Sequence, residues 1–315
     1  MNPMLDAQRE ALVAAERALA ADPRHDAARE AQLDLLLAGL PADMPGTSLP
    51  WAHGVPPRVA VITPYWRESS DILARCAASV RAQTIPPALH IFVADGHAQD
   101  VVDGWNVTHL RLPSRTANSG DTPRAVGGRV AVDAGCAVVA YLDADNAWRP
   151  RHLESLLVRH AQTGAPICHA GRTLHEADGA LMPLLEAGDS VGHVDTNCIL
   201  VTGAALPFVH RWGTWPPALS LIGDRMFWTA LVTSGLATAC SGALTALYTA
   251  DRAAYYRALR RPAPPRVRAD LDFTGMFGFY DALDAEARAR LDRDMGFAVG
   301  PVVDARRPAA DHGSD

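Results

Sequence analysis

Asp143 and Asp145 stand two residues apart at the end of the apolar run Val138–Leu142. Carboxylates at this spacing reach one point once the chain turns. They make a hard oxygen site suited to Mg2+ or Mn2+, ions that usually keep open positions for phosphate oxygens. Taken alone, an Asp-x-Asp pair is equally a capped turn. Two other apolar runs end in polar groups: Val59–Ile62 runs into Thr63-Pro64-Tyr65, and His90–Ala94 into Asp95-Gly96. In open α/β sheets ligands bind beyond the carboxyl ends of the strands, so three strands ending this way would bring all three segments to one edge.

The elements needed to do this are legible. Val59–Ile62, His90–Ala94, His109–Leu112 and Val138–Leu142 read as strands, and residues 69–82, 123–134 and 150–162 as the helices between or after them. Further strands are expected over 166–170, 198–202 and 244–248, with a helix near 224–234. Ahead of them, Leu12, Ala15, Leu19 and then Leu33, Leu36, Leu37 and Leu40 recur at helical spacing around Asp22-Pro23. This predicts an N-terminal α-helical hairpin over 1–45 that looks like a junction between two tetratricopeptide repeats. One junction is too little for a self-supporting solenoid, so a docked appendage or a dimerisation element, and with the latter a homodimer, is expected. Residues 41–56 read as linker and 301–315 as a flexible tail.

In order, "VAVITPYWRESSDILARCAASVRAQT", "HIFVADG", "NSGDTPRAVGG" and "VVAYLDADNAWRPRHLESLL" resemble the nucleotide-binding half of family 2 glycosyltransferases with the GT-A fold. Each piece is a weak signal, but their order over about residues 57–162 is specific. The resemblance implies an α/β protein with a Rossmann-like mixed sheet flanked by helices, a GT-A domain over 57–300 and an acceptor half over about 163–260. It implies an inverting, metal-dependent transfer from a nucleotide-diphosphate sugar, UDP-sugar first among them, to the hydroxyl of a sugar or other acceptor. Carried over residue by residue, Asp95 would accept from the nucleobase, and Thr63, Pro64 and Tyr65 would cradle base and ribose with Glu68 close behind. Asp143 would contact ribose or metal, Ala144 would line the nucleotide, and Asp145 would ligate Mn2+ or Mg2+. Arg124 could fork onto phosphate or buttress the Asp-x-Asp turn; a surface helix arginine is the other reading.

Such a transfer also needs a base for the acceptor hydroxyl. The resembled family carries it in an acidic pair that opens a helix beyond the metal motif. Gly223-Asp224-Arg225 holds that place, making Asp224 the candidate base against the simpler reading of an N-cap. The chain departs from the pattern in having Gly223 rather than glutamate, and Asp251 in "LYTAD" where a histidine often joins the metal. Asp251 is a metal ligand or a helix cap. Phe208 stands in "FVHRW" where Gln-x-x-Arg-Trp would need glutamine. Asp195, Asn197 and Trp215 are candidates for acceptor binding, while His169, His175 and His193 lack metal-like spacing and read as structural.

Composition narrows the alternatives. All 29 basic residues are arginine, which excludes lysine Schiff bases and a Gly-Lys-Ser/Thr phosphate loop. Bound phosphate must therefore be held by arginine, backbone N–H groups or metal. A net charge of -6 argues against general nucleic-acid binding. Arg257–Arg268 reads as a solvated connector or an anion-binding flap. Five scattered cysteines without a Cys-x-x-Cys pair suggest neither structural zinc nor disulfides, and fit a reducing cytoplasm. Met226–Ala250 is uncharged and long enough to cross a bilayer, but Gly235 and Gly242 divide it into a helix and a strand. A nucleotidyltransferase would want glycine and lysine after the first strand, and Thr63–Ser70 has neither. A non-catalytic nucleotide-sugar-binding or protein-interaction module with a degenerate transferase domain remains the rival from another class.

Overall fold

The computed structural model of the chain describes residues 56–182 and 193–308. The expected hairpin over 1–45, nearly all of the 41–56 linker and the end of the tail lie outside these residues.

The first strands are β1 (Val59–Tyr65), β2 (Leu89–Ala94), β3 (Thr108–Arg111) and β4 (Val138–Tyr141). They are mutually parallel in the order β3-β2-β1-β4. β1 and β4 are buried along their whole length, as expected of unbroken apolar runs covered on both faces. The helices α1 (Ser70–Arg81), α2 (Asp121–Asp133) and α3 (His152–Thr163) flank them. In α1 the buried positions Leu73, Cys76, Ala77 and Val80 form one stripe at helical spacing. α2 lies so close to the sheet that a Cβ on Gly127 would come within 2.6 Å of Ile62 Cγ2.

The sheet then changes sense. β8 (Ile199–Thr202) pairs antiparallel with both β4 and β6 (Ile167–His175). β9 (Thr238–Thr249) runs parallel to β6 and antiparallel to the two-residue β5 (Ala147–Trp148), and β7 (Leu181–Met182) pairs with β6. The result is a mixed α/β sheet flanked by helices, as expected. Strands β6 and β9 are longer than their apolar runs suggest. β8 is preceded by a 3-10 turn over Thr196–Cys198.

The uncharged stretch 226–250 divides as expected into α4 (Gly223–Val232) and β9. Among the described residues no helix is long and apolar enough to cross a membrane. Trp212 stacks on Phe227 at 4.3 Å between ring centroids, and Tyr141 meets both edge-on, tying α4 to β4. The chain continues through α5 (Ala253–Ala258), α6 (Thr274–Asp281), α7 (Ala285–Met295) and α8 (Gly300–Asp304). Residues 301–308, expected to open a flexible tail, instead begin inside α8. Pro301 suits the first turn of a helix, and Val302 and Val303 are buried in the main core with Met276, Leu291 and Met295.

Candidate functional site

At the carboxyl edge of the parallel strands, β4 delivers the Asp143–Asn146 turn and β5 leaves it to pair with β9, Ala147 opposite Leu247. Extending that register sets Thr249 against the turn. Its Oγ1 donates to the Asp145 carbonyl at 2.6 Å, and its N–H donates to Asn146 Oδ1 at 2.8 Å. Asp251, two residues further on, arrives beside Asp145 as a consequence. Arg268 Nη2 lies 3.2 Å from Asp145 Oδ2, and Arg268 Nε pairs with Asp251 Oδ2. Burial, then the proximity of Asp143, pushes Asp145 up to about 7, with Asp251 and Glu68 adding to the rise.

Asp143 points elsewhere. Arg124 Nη2 donates to its Oδ1. Asn197 donates to its Oδ2 at 3.3 Å and accepts its backbone N–H at 2.6 Å. As Asp143 and Asp121 share the buried Arg124, Asp145 and Asp251 share the exposed Arg268 guanidinium. Their oxygen chemistry fits a hard divalent cation, and the guanidinium between them stands where a cation would. Among the described residues no group of three His, Cys, Asp or Glu side chains forms a ligand set, so further positions would fall to ligand oxygens or water.

At the neighbouring strand ends, Asp95 closes β2 and accepts from the Thr116 N–H at 2.7 Å and the Thr116 hydroxyl at 2.9 Å. Glu68 accepts the Trp66 N–H at 2.7 Å. The Arg115 guanidinium lies 3.5 Å above the Trp66 ring centroid, an aromatic–cation stack that motif reading did not find. Two cradle residues are turned inward. Thr63 is fully buried, its hydroxyl 2.9 Å from His90 Nε2. Tyr65 is 3% exposed, with its hydroxyl 2.7 Å from His109 Nε2 and accepting the Gln99 N–H. These two side chains tie β1 to β2 and β3. Pro64 between them and Ala144 in the Asp143–Asn146 turn are buried as well, so none of these four expected nucleotide contacts offers a side chain to a ligand.

On the other side, Asp224 sits in the first turn of α4 with its side chain 34% exposed and Oδ2 3.2 Å from His193 Nε2. Burial lowers the pKa of His193, favouring neutral imidazole; Nε2 must then carry the proton to donate to the carboxylate. Asp224 opens onto a cavity of about 660 Å³ lined also by Arg172, Asp195, Tyr248, Tyr255 and Phe273. Asp195 pairs with Arg172, whose guanidinium covers the Tyr248 ring at 4.1 Å. His193, expected to be structural, thus belongs to the candidate site.

Two acceptor expectations are corrected. Asn197 is 1% exposed, and its amide bridges Asp143 to Asp195. Trp215 is 4% exposed and packs edge-on against Trp212, and its Nε1 donates to Asp121 Oδ2 at 2.8 Å. Neither offers a surface to an acceptor.

Asp121, which sequence reasoning passed over, explains Gly223. A Cβ at residue 223 would meet Asp121 Oδ1 at 2.5 Å, so the buried carboxylate occupies the space a side chain there would need. Burial raises Asp121 to about 7 against the opposing pull of Arg124. Arg124 Nη1 is 3.8 Å from Asp121 Oδ1 while Nη2 holds Asp143. The guanidinium is buried, over the Trp212 ring at 4.8 Å. It is a buttress joining the start of α4 to the Asp143 turn, and the surface reading of Arg124 falls.

No protein-family model and no curated protein matches the chain. Solved structures match it in three dimensions. S. aureus TarS 1-349 in complex with UDP is 14% identical, with 79% of this chain and 82% of that one covered and a TM-score of 0.48. The same TarS fragment in complex with UDP-GlcNAc is 12% identical, covering 76% and 70%, with a TM-score of 0.47. GalNAc-T7 with UDP, GalNAc and Mn2+ is 13% identical, with 61% of this chain and only 44% of that one covered and a TM-score of 0.48.

Proposed function

We propose that the chain is a glycosyltransferase that moves a sugar from a nucleotide-diphosphate donor to an acceptor hydroxyl with inversion at the anomeric carbon. The observation that supports this best is a division of carboxylates. Asp145 and Asp251 face a positive group at the strand edge, Asp224 opens onto a 660 Å³ cavity, and Arg124 with Asp121 links the two places. Asp95, Glu68 and the Trp66–Arg115 stack would receive the nucleoside. Asp224, oriented by His193, would take the proton of the acceptor hydroxyl as its oxygen attacks the anomeric carbon and the diphosphate leaves on the opposite face. Asp195, Arg172 and Tyr248 would line the acceptor. Neutralising the departing diphosphate is the chemistry that a divalent cation, Mn2+ or Mg2+, held by Asp145 and Asp251 would supply.

Thermal denaturation with UDP, GDP, CDP or dTDP, each with and without Mn2+, tests the donor site. One nucleotide, UDP first, is expected to raise Tm in the presence of metal. If none does, the donor assignment is wrong. Donor hydrolysis then separates an enzyme from a non-catalytic binding module. Turnover by the wild type that is lost in Asp224→Asn supports catalysis, whereas nucleotide binding without turnover on any acceptor supports the module.

A further inference from the structure

Arg268 reaches the carboxylate pair from an exposed return of the chain. After α5, residues 260–266 and 268–272 are exposed, and only Leu259 and Val267 are partly buried, against a small cluster around Tyr256. The return is fastened at its end. Arg268 N–H donates to the Asp251 carbonyl at 2.7 Å, and Ala253 N–H donates to the Arg268 carbonyl at 3.2 Å. The other ties are at the surface: Arg252 Nη1 to the Ala269 carbonyl at 2.9 Å, Arg257 to Asp270, and Arg261 to Glu176 at 3.3 Å. Arg75, also close to Asp145, donates to the Asp145 carbonyl and the Thr249 hydroxyl rather than to a carboxylate. Among the described residues, Arg268 is the only cationic side chain paired with both Asp145 and Asp251.

The geometry points to Arg268 as the resident cation of the Asp145–Asp251 pair, one that a divalent ion must displace in order to bind, releasing the return over residues 259–272 as it does so. The inference rests on the reading of Asp145 and Asp251 as the cation ligands. The guanidinium side chain is 55% exposed, and ion pairs so open to solvent hold weakly. A divalent ion places twice the charge on the same oxygens and brings phosphate oxygens with it. Half of the pair's charge is thus offset in the absence of the ion, and the exchange links ion binding to movement of the chain beside it.

Titration of the full chain with Mn2+, followed by loss of the free-ion EPR signal, tests this directly. Arg268→Gln should bind Mn2+ roughly two- to fivefold tighter than wild type, because a competing ion pair is gone. Arg268→Lys, which keeps the charge, should stay near wild type, as should Arg261→Gln on the same return. In the wild type, Mn2+ should speed hydrogen exchange over 259–272. Equal or weaker Mn2+ binding by Arg268→Gln overturns the inference, as does faster exchange that is absent or confined to other segments. If neither protein binds Mn2+, the inference and the metal reading fall together. A nucleotide-induced rise in wild-type Tm would then show that the donor reading survives.

Discussion

Around Asp143 both carboxylate oxygens and the N–H are held by side chains. Its two oxygens meet Arg124 and Asn197, its N–H donates to Asn197 Oδ1, and Arg124 itself is buried against Trp212. Around Asp224 the arrangement is open. One side chain, the His193 imidazole, approaches Oδ2, Oδ1 accepts the adjacent Arg225 N–H, and the cavity begins there. Exposure does not make the difference, at 34% against 28% for Asp143. A group that fixes the shape of a turn works best with every valence satisfied, while one that exchanges protons with a ligand must remain reachable. On the proposed function, the contrast separates a scaffolding carboxylate from a reactive one.

The sharpest test of that division is Asp224→Asn, which should lower sugar transfer by about 10²–10⁴-fold and leave the nucleotide-induced rise in Tm intact. Near-normal transfer would move the reactive role elsewhere. On the scaffolding side, Arg124→Met strips the counter-charge from buried Asp121 and from Asp143. Urea unfolding should show a loss of about 3 kcal/mol, as for breaking a buried ion pair; a change within error would return Arg124 to the surface reading.

Gly223→Ala sets a methyl group against Asp121 Oδ1 and should cost about 1–3 kcal/mol as overpacking. It should also lower transfer, because the strain falls next to Asp224. A variant as stable and active as wild type would show that Asp121 yields without consequence. The smallest effect concerns pH. The value of Asp121 near 7 in the folded protein lies above that of the unfolded chain, so its stabilising contribution is full at acid pH and fades as pH rises through 7. Asp121→Asn stays neutral and can still accept from Trp215. Its Tm relative to wild type should therefore rise by a few degrees between pH 5 and pH 8, and a flat difference would mean that Arg124 already keeps Asp121 ionised.

The parallel half was readable because its signals are local. Apolar runs such as Val138–Leu142 become buried strands, and a parallel arrangement sends Thr63, Asp95 and Asp143 to one edge whatever the rest of the chain does. The antiparallel half was less so. Trp215 and Asn197 are aromatic and polar residues near an expected strand, features that suit a ligand surface and a buried bridge equally well; only Asp121 and Asp143, 94 and 54 positions away, decide for the bridge. Of the C-terminal helices, α8 escaped notice because it is short and carries a proline in its first turn. Val302 and Val303 mark it only when the core they enter is known.

The amino-acid sequence by itself determined which chemistry was open to this protein. A chain without lysine, with carboxylates at strand ends, can meet a diphosphate only through arginine, backbone or metal, and hydrophobic periodicity is enough to set those carboxylates on an α/β framework. Tertiary structure alone decided how they are shared out. Antiparallel pairing of β5 with β9 brings Asp251 to Asp145, the return over 259–272 lays Arg268 between them, and close packing sets Asp121 over Gly223. Apart from the short step from Asp251 to Arg268, these contacts join residues more than ninety positions apart, where the outcome depends on how the elements pack and not on any local preference of the chain.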